Sequence, residues 1–316
     1  MELTVAVIAP LTGPESTVAQ PMLAAVRAVV HGLGPVFGGR IAVRALDDGR
    51  DPTRAVELIG HCIDDPDVIG VVGPKNSGSA LAVEERACAA GLPLLLPAAT
   101  ADELSGPGTT LRLCAPDRAT AQAAVRLATS LACRALWVEA DATPYGHRLA
   151  AAVRTAAGSA GLTVATSLDA ADAAFLAMGE VEQAARLTAL RTAGFRGELI
   201  GAEGGPGASL AALAGPAADG VWQLYPGVHA PGHRHVYTAE SAAATTALVR
   251  AFDLTGDRTE IATWLRRRDR EAIASELGPL WFDADGERDG ANVTLWRVRD
   301  GRMQPCSVLP SPTPAP

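Results

Sequence analysis

The sequence predicts an α/β protein built as two doubly wound, parallel-sheet lobes. Three observations lead there. Short apolar segments alternate with amphipathic segments nearly to the end, the rhythm of helices packed on both faces of parallel sheets. The strand–helix series restarts near residue 117, giving two runs of similar length with no close repeat at residue level. The chain has 316 residues and 48% of them are apolar, enough for two cores of ordinary domain size.

The first series opens with an apolar strand at 3–9, a turn at 10–14 and a helix to about residue 30. A strand at 41–46 ends in Asp47-Asp48-Gly49. Asp51-Pro52 opens a helix to about 63, with proline in the first turn, where its missing N–H costs nothing. A strand at 68–72 runs into the loop 73–79 and another helix. Strands at 92–96 and 111–114 close the series. The second series reads as helix 119–131, strand 135–139, helix 145–157, strands 162–167 and 173–177, helix 181–193, and strands 198–201 and 220–224. An irregular stretch, 225–235, leads to a long helix at 238–252 and a smaller one at about 260–265. Segments 293–298 and 302–306 form a hairpin across Asp300-Gly301, a pair that supplies the positive φ of a tight turn. The proline-rich end, 310–316, reads as a disordered tail.

Composition excludes several function classes. Thirty-five acidic against 27 basic residues give a net charge of −8. An acidic chain with no basic run is a poor candidate for nucleic acid or an anionic membrane, and no nucleic-acid partner is expected. Every basic residue is arginine except Lys75. The five cysteines (Cys62, Cys88, Cys114, Cys133 and Cys306) are scattered, with no CxxC and no zinc spacing, and read as structural thiols ahead of a disulfide framework. Met1-Glu2 passes straight into the strand at 3–9, which is too short for a signal or membrane segment. The location implied is extracytoplasmic if a leader has been removed, and cytoplasmic if this is the whole natural chain.

Catalytic signatures are missing: there is no GxSxG elbow, Walker A loop, HExxH, or GxGxxG after a strand. The glycine-rich stretch 201–207 lacks phosphate-loop spacing. His229, His233 and His235 lie close together and read as a solvated loop ahead of a metal site. Asp47-Asp48 and Asp64-Asp65 stand at strand or helix ends, where solvated acids and caps occur. No cofactor, metal or enzymatic activity is expected.

Polar loops follow the strand C-termini, where doubly wound sheets bind ligands. They are 12–18, 76–79, 97–100, 143–145 and 202–204. Ser77 and Ser79 open a helix whose free N–H groups suit a carboxylate, although Ser77 taken alone reads first as an ordinary N-cap. Glu203, among small residues after a strand, suits an ammonium group or is a plain loop acid.

Together these segments resemble the branched-chain amino acid binding proteins of ABC transporters, the type I periplasmic-binding fold. Val7-Ile-Ala-Pro-Leu-Thr-Gly-Pro14 is similar to their opening strand and loop, and Asp47-Asp-Gly-Arg-Asp-Pro-Thr-Arg-Ala55 to their D-D…D-P…A element. Val71-Val-Gly-Pro-Lys-Asn-Ser-Gly-Ser79 and Leu96-Pro-Ala-Ala-Thr-Ala-Asp-Glu-Leu104 resemble the two ligand loops. Thr143-Pro-Tyr-Gly146, Ile200-Gly-Ala-Glu-Gly204 and Phe282-Asp-Ala-Asp-Gly286 follow in the same order.

The resemblance implies a ligand carboxylate on Ser77, the backbone around Ala98 and Ala99, and the Thr100 hydroxyl. It implies an α-ammonium on Glu203, helped by the Ala99 carbonyl, with Tyr145 flanking the ligand. The resemblance implies three crossings between the lobes, near 115–117, 225–235 and 282–285; Val18 and Met178-Gly179-Glu180 replace aromatic residues common in the family, and a crossing offers His235 and Tyr237. Leucine is therefore not expected to be the best ligand. The implied lobes are 1–116 plus 236–283 and 117–235 plus 284–309, closing on the ligand by hinge motion. The implied function is capture of a small amino acid or analogue for a membrane permease. The alternative is a ligand-sensing regulatory module acting through a protein partner.

Overall fold

The computed structural model describes residues 3–34, 41–207 and 209–310, without the side chains of 307–310. The remainder of the expected tail, 311–316, lies outside the described residues. The chain divides into two compact units, Met1–Cys114 with Ala230–His233 and Tyr237–Ala291, and Ala115–His229 with Arg234–Val236 and Asn292–Pro316. The last change of unit comes at Ala291, eight residues later than 283/284. Residues 283–288 are tied into the first unit by the Phe282–Arg288 bridge and by Glu287, which pairs with Arg112.

In the first unit, β1 (Leu3–Ala9), β2 (Ile41–Asp47), β3 (Val68–Val72), β4 (Leu94–Leu96) and β5 (Thr110–Arg112) form a parallel sheet. Its order is β2-β1-β3-β4-β5. Successive side chains of a strand point to opposite faces. Val5 and Val7 accordingly join one core, with α1 (Ser16–Leu33) and the later long helix, while Ala6 and Ile8 join another, with α2 (Pro52–Asp64) and α3 (Ser77–Ala89). Asp51 caps α2 by accepting from the Thr53 N–H at 2.8 Å.

The second unit begins with α4 (Asp117–Ser130) and β6 (Ala135–Ala140), then α5 (Pro144–Ser159), β7 (Thr163–Val164) and β8 (Ala173–Ala177). It continues with α6 (Glu180–Thr192), β9 (Glu198–Ala202), α7 (Leu210–Ala214) and β10 (Trp222–Tyr225). The expected strand at 162–167 shrinks to two residues at the sheet edge, paired with β6 alone. The short helix α7 was not legible in an alanine-rich stretch with no clear period.

The chain then contributes α8 (Thr238–Thr255), α9 (Ile261–Arg266) and the small pair β11 (Ile273–Ser275) and β12 (Gly278–Leu280) to the first unit. It ends in β13 (Asn292–Arg299) and β14 (Arg302–Pro310). These complete a seven-stranded sheet, β14-β13-β10-β9-β8-β6-β7, in which β13 runs antiparallel to β10. Asp300 and Gly301 take φ of 51° and 67° in the turn between them.

All five cysteines are free thiols, and Cys88, placed by its helical pattern among the inward residues, is exposed. Among the described residues no helix is long and apolar enough to cross a membrane.

Candidate functional site

The sheet of the first unit changes direction of winding between β1 and β3. In such sheets the crevice for a ligand lies outside the carboxyl ends of those two strands. The residues found there are Glu15, after β1, and Lys75, Asn76 and Ser77, after β3.

Ser77 does not cap its own helix. Asn76 is the N-cap of α3, in extended backbone, and Ser77 is the first helical residue. The nearly buried Ser77 hydroxyl instead accepts the N–H groups of Thr100 at 3.1 Å and Ala101 at 3.2 Å. Its own proton is thereby left to donate elsewhere. Ala98, Ala99 and Thr100 are buried in the loop after β4. That loop is braced from below by Arg112, only 1% exposed. Its guanidinium donates to the Ala101 carbonyl at 2.6 Å and to the Ala99 carbonyl at 3.4 Å, and pairs with Glu287 at 2.6 Å. The Ala99 carbonyl also receives the Cys114 thiol at 3.6 Å, so two protein donors already face the oxygen expected to help an ammonium.

Beside Ser77 stands a charged network. Glu15 accepts from Arg50 at 2.8 Å, from Lys75 at 2.7 Å and from the Asn76 amide at 2.9 Å. Burial works against its charge, but Lys75 and the other donors outweigh it and hold the Glu15 carboxyl below the usual glutamate value. Val18 lies half-buried in the first turn of α1. Asp47, as a strand-end acid, collects the Leu11 and Gly49 N–H groups and the Thr12 hydroxyl. Asp48 departs from the solvated reading: it is fully buried, and burial raises its carboxyl pKa.

The second unit carries its own cluster. Thr143 caps α5 by accepting from the Gly146 N–H at 3.0 Å, and this sets Tyr145 in the first turn. A Cβ on Gly146 would sit 2.5 Å from the Ala177 carbonyl oxygen, so only glycine lets α5 start that close to β8. Tyr145 hydrogen-bonds Glu203. Burial first, then the charges of Glu203, Asp117 and Asp141, push the phenol well above its usual value, so Tyr145 stays a donor.

Glu203 follows β9 with φ of 65°, a left-handed conformation that is rare for a residue with a Cβ. Beneath it two buried amides interlock. Gln183 donates to the Met178 carbonyl at 2.7 Å and to the Ala202 carbonyl at 2.6 Å, and accepts from Gln223 at 2.9 Å. A Cβ on Gly204 would meet the Gln223 side chain at 2.4 Å, which explains the glycine beside Glu203.

Glu180 and His235, also expected at the ligand, have these neighbours. The Glu180 carboxylate accepts from the Ser209 hydroxyl and the Leu210 N–H, both at 2.7 Å, and so opens α7. His235 is exposed, its ring beside Gly207. His229 meets Trp296 edge-on at 5.2 Å, and His233 meets the Thr238 hydroxyl at 3.1 Å. Among the described residues no group of histidines, cysteines and carboxylates could hold a metal.

Sequence reasoning missed Glu15, Arg112, Gln183, Gln223 and Glu287. Three left a signal: the one lysine next to Ser77 calls for an acid, Arg112 interrupts an apolar strand pattern, and Gln183 lies on the inward stripe of its helix.

The family model for periplasmic binding proteins matches residues 2–170. The chain belongs to the periplasmic binding protein family. Within that family it is 25% identical over 329 residues to a Leu/Ile/Val-binding protein of Citrobacter freundii, covering 92% of this chain and 89% of that one. It is 27% identical to Leu/Ile/Val-binding protein BraC3 of Rhizobium johnstonii over 168 residues, which span 51% of this chain and about half, 46%, of that protein. Among solved structures, the leucine-binding protein LivK of Thermotoga maritima superposes with a TM-score of 0.87 at 20% identity, covering 97% of this chain and 98% of that one. A solute-binding protein of R. palustris in complex with benzoate gives 0.79 at 18% identity, with coverage of 98% and 97%. These likenesses establish the type I fold of two α/β lobes.

Proposed function

We propose that this chain is a non-catalytic solute-binding protein that captures a small amino acid or close analogue for an ABC transporter. The reading is carried by what each unit offers by itself, a group suited to one end of an α-amino acid. On the first unit, the α3 N-terminus, the Ser77 hydroxyl and Thr100 offer donors to a carboxylate. On the second, Glu203 offers a charge to an ammonium, with Tyr145 beside it. An α-amino acid has both groups, and a ligand with one of them satisfies only half of this set.

The relatives named for Leu, Ile and Val support capture for transport over a regulatory module. Delivery to a membrane permease, an extracytoplasmic location after export and the absence of turnover follow from that reading.

A ligand-free preparation tests it. An amino acid at a hundred times its dissociation constant adds about 2.7 kcal/mol of stability. For a domain of 150–250 residues each kcal/mol moves the melting temperature by roughly 2–4 °C. An upward shift with at least one amino acid, and no conversion of it, is the expected result. No shift across the twenty amino acids, or steady turnover of one, overturns the proposal.

A further inference from the structure

We infer that Arg112 and Glu287 are positioning residues for the proposed carboxylate anchor: acting through the backbone of residues 99–101, they set the direction in which Ser77 donates. This rests on the amino acid reading of the site and adds the residues that aim its carboxylate pole.

Segment 282–288 stands out in the sequence, yet none of its side chains belongs to either proposed pole. The structure lays it beside β5. The Arg112 N–H donates to the Gly286 carbonyl at 2.8 Å and the Arg288 N–H to the Arg112 carbonyl at 3.1 Å, so Glu287 comes level with Arg112. Gly286 is required for that approach: at its φ of 78° a Cβ would sit 2.3 Å from the Thr110 carbonyl oxygen.

Arg112 commits all five of its N–H donors to protein. Nε and one Nη2 N–H go to Glu287 at 3.1 and 2.6 Å, and the other Nη2 N–H goes to the Ser105 hydroxyl at 2.6 Å. Nη1 holds the Ala101 carbonyl at 2.6 Å and, with a longer bond, the Ala99 carbonyl at 3.4 Å. No donor is left for a ligand, so any effect of Arg112 on binding passes through the loop.

The two carbonyls on Nη1 bracket the N–H groups of Thr100 and Ala101 along the chain. Peptide planarity ties the Ala99 carbonyl to the Thr100 N–H, which points the opposite way. Both N–H groups donate to Ser77 Oγ, at 3.1 and 3.2 Å. A hydroxyl has two acceptor lone pairs and one proton. With both lone pairs taken, Ser77 can only donate, and the direction of its O–H follows from where the two N–H groups sit. Such a group suits a carboxylate oxygen and offers nothing to a donor. Lysine at position 112 would keep the charge, but its compact ammonium on a flexible stem cannot hold two carbonyls, a hydroxyl and a carboxylate in one plane.

Calorimetric titration tests this with two ligands: the amino acid that binds the parent best, and its primary amide, in which the carboxylate becomes a neutral carboxamide. A hydrogen bond to a charged group is worth roughly tenfold or more in affinity, so the parent should prefer the acid by at least about tenfold. Arg112→Lys should cut that preference by about tenfold, Ser77→Ala by a similar factor, and the double variant no further than Ser77→Ala alone. A purely structural Arg112 would weaken acid and amide alike, or add its loss to that of Ser77→Ala, and either result overturns the inference. Ser105→Ala guards against misfolding of Arg112→Lys. It removes one acceptor of the guanidinium at a half-buried position and should cut the preference by about threefold. An unchanged preference in Ser105→Ala likewise overturns the inference. All of these results leave the amino acid reading standing. Failure of all twenty amino acids to bind the parent sinks that reading and this inference together.

Discussion

Glu203 is held in a conformation its side chain disfavours, and comparing Glu203→Ala with Glu203→Gly separates the backbone from the charge. Both remove the carboxylate and its hydrogen bond with Tyr145, so those losses cancel in the comparison. They differ in the backbone. At φ of 65° a residue with a Cβ is strained by roughly 1–2 kcal/mol, and glycine is not. Glycine gives back about 0.4–1 kcal/mol through the entropy of its unfolded chain. The glycine variant should therefore be more stable than the alanine variant by about 1 kcal/mol, or roughly 2–4 °C in melting temperature. Binding should show the opposite pattern, with both variants equally weak. Removing one partner of a buried charge pair costs about 2–5 kcal/mol, which is about 30-fold to several thousandfold in affinity. Glu203→Gln, which keeps the shape, should lose nearly as much. The assays are urea denaturation of the ligand-free variants and calorimetric titration with the amino acid that binds the parent best. Equal stability of the alanine and glycine variants refutes the backbone strain. Full affinity in Glu203→Gln refutes the ammonium role.

Gln183→Leu keeps approximate volume but strips the Met178 and Ala202 carbonyls and Gln223 of a partner, and should cost about 2–4 kcal/mol in a urea melt. Affinity for an amino acid should fall with it, and affinity for the corresponding desamino acid, which has no ammonium for Glu203 to meet, should not. Arg112→Met alone leaves Glu287 without its cation and should cost about 3–5 kcal/mol, whereas Arg112→Met combined with Glu287→Leu should cost less than the sum of the two single changes. A strictly additive double variant would count against a coupled pair. Asp48 sets a pH dependence: its folded pKa is raised by burial, so its contribution is fully present below the ordinary value of 3.8 and is lost as pH rises through the folded value. Glu15 runs the other way: its lowered pKa gives stability present above 4.5 and lost as pH falls through the folded value. Melting temperatures from pH 3 to 8 should show Asp48→Asn gaining on the parent as pH rises; a constant difference would contradict the assignment.

Much of the fold was legible because its signals are local. The alternation of Val5, Ala6, Val7 and Ile8 between two cores is a two-residue period, and Asp51-Pro52 carries a helix start within two residues. The segment after Gly161 misled because its apolar character belongs to an edge strand only two residues long. Asp48 misled because its position at a strand end resembles that of Asp47, while only packing decides which of the two acids meets water.

The candidate site divides along the same line. The sequence by itself determined where polar loops follow apolar strands, and so pointed to Ser77, Thr100, Tyr145 and Glu203. Partners were decided by the tertiary structure. Ser77 takes its hydrogen bonds from residues 23 and 24 positions away, Lys75 meets Glu15 across 60, and Arg112 meets Glu287 across 175. Glu180 meets the start of α7, 30 residues on. Periodicity and capping act over one or two turns of chain, so they are written in neighbouring residues. Which side chains meet depends on the order in which strands are laid into a sheet, and that order is set only when the separate segments bury their apolar faces together.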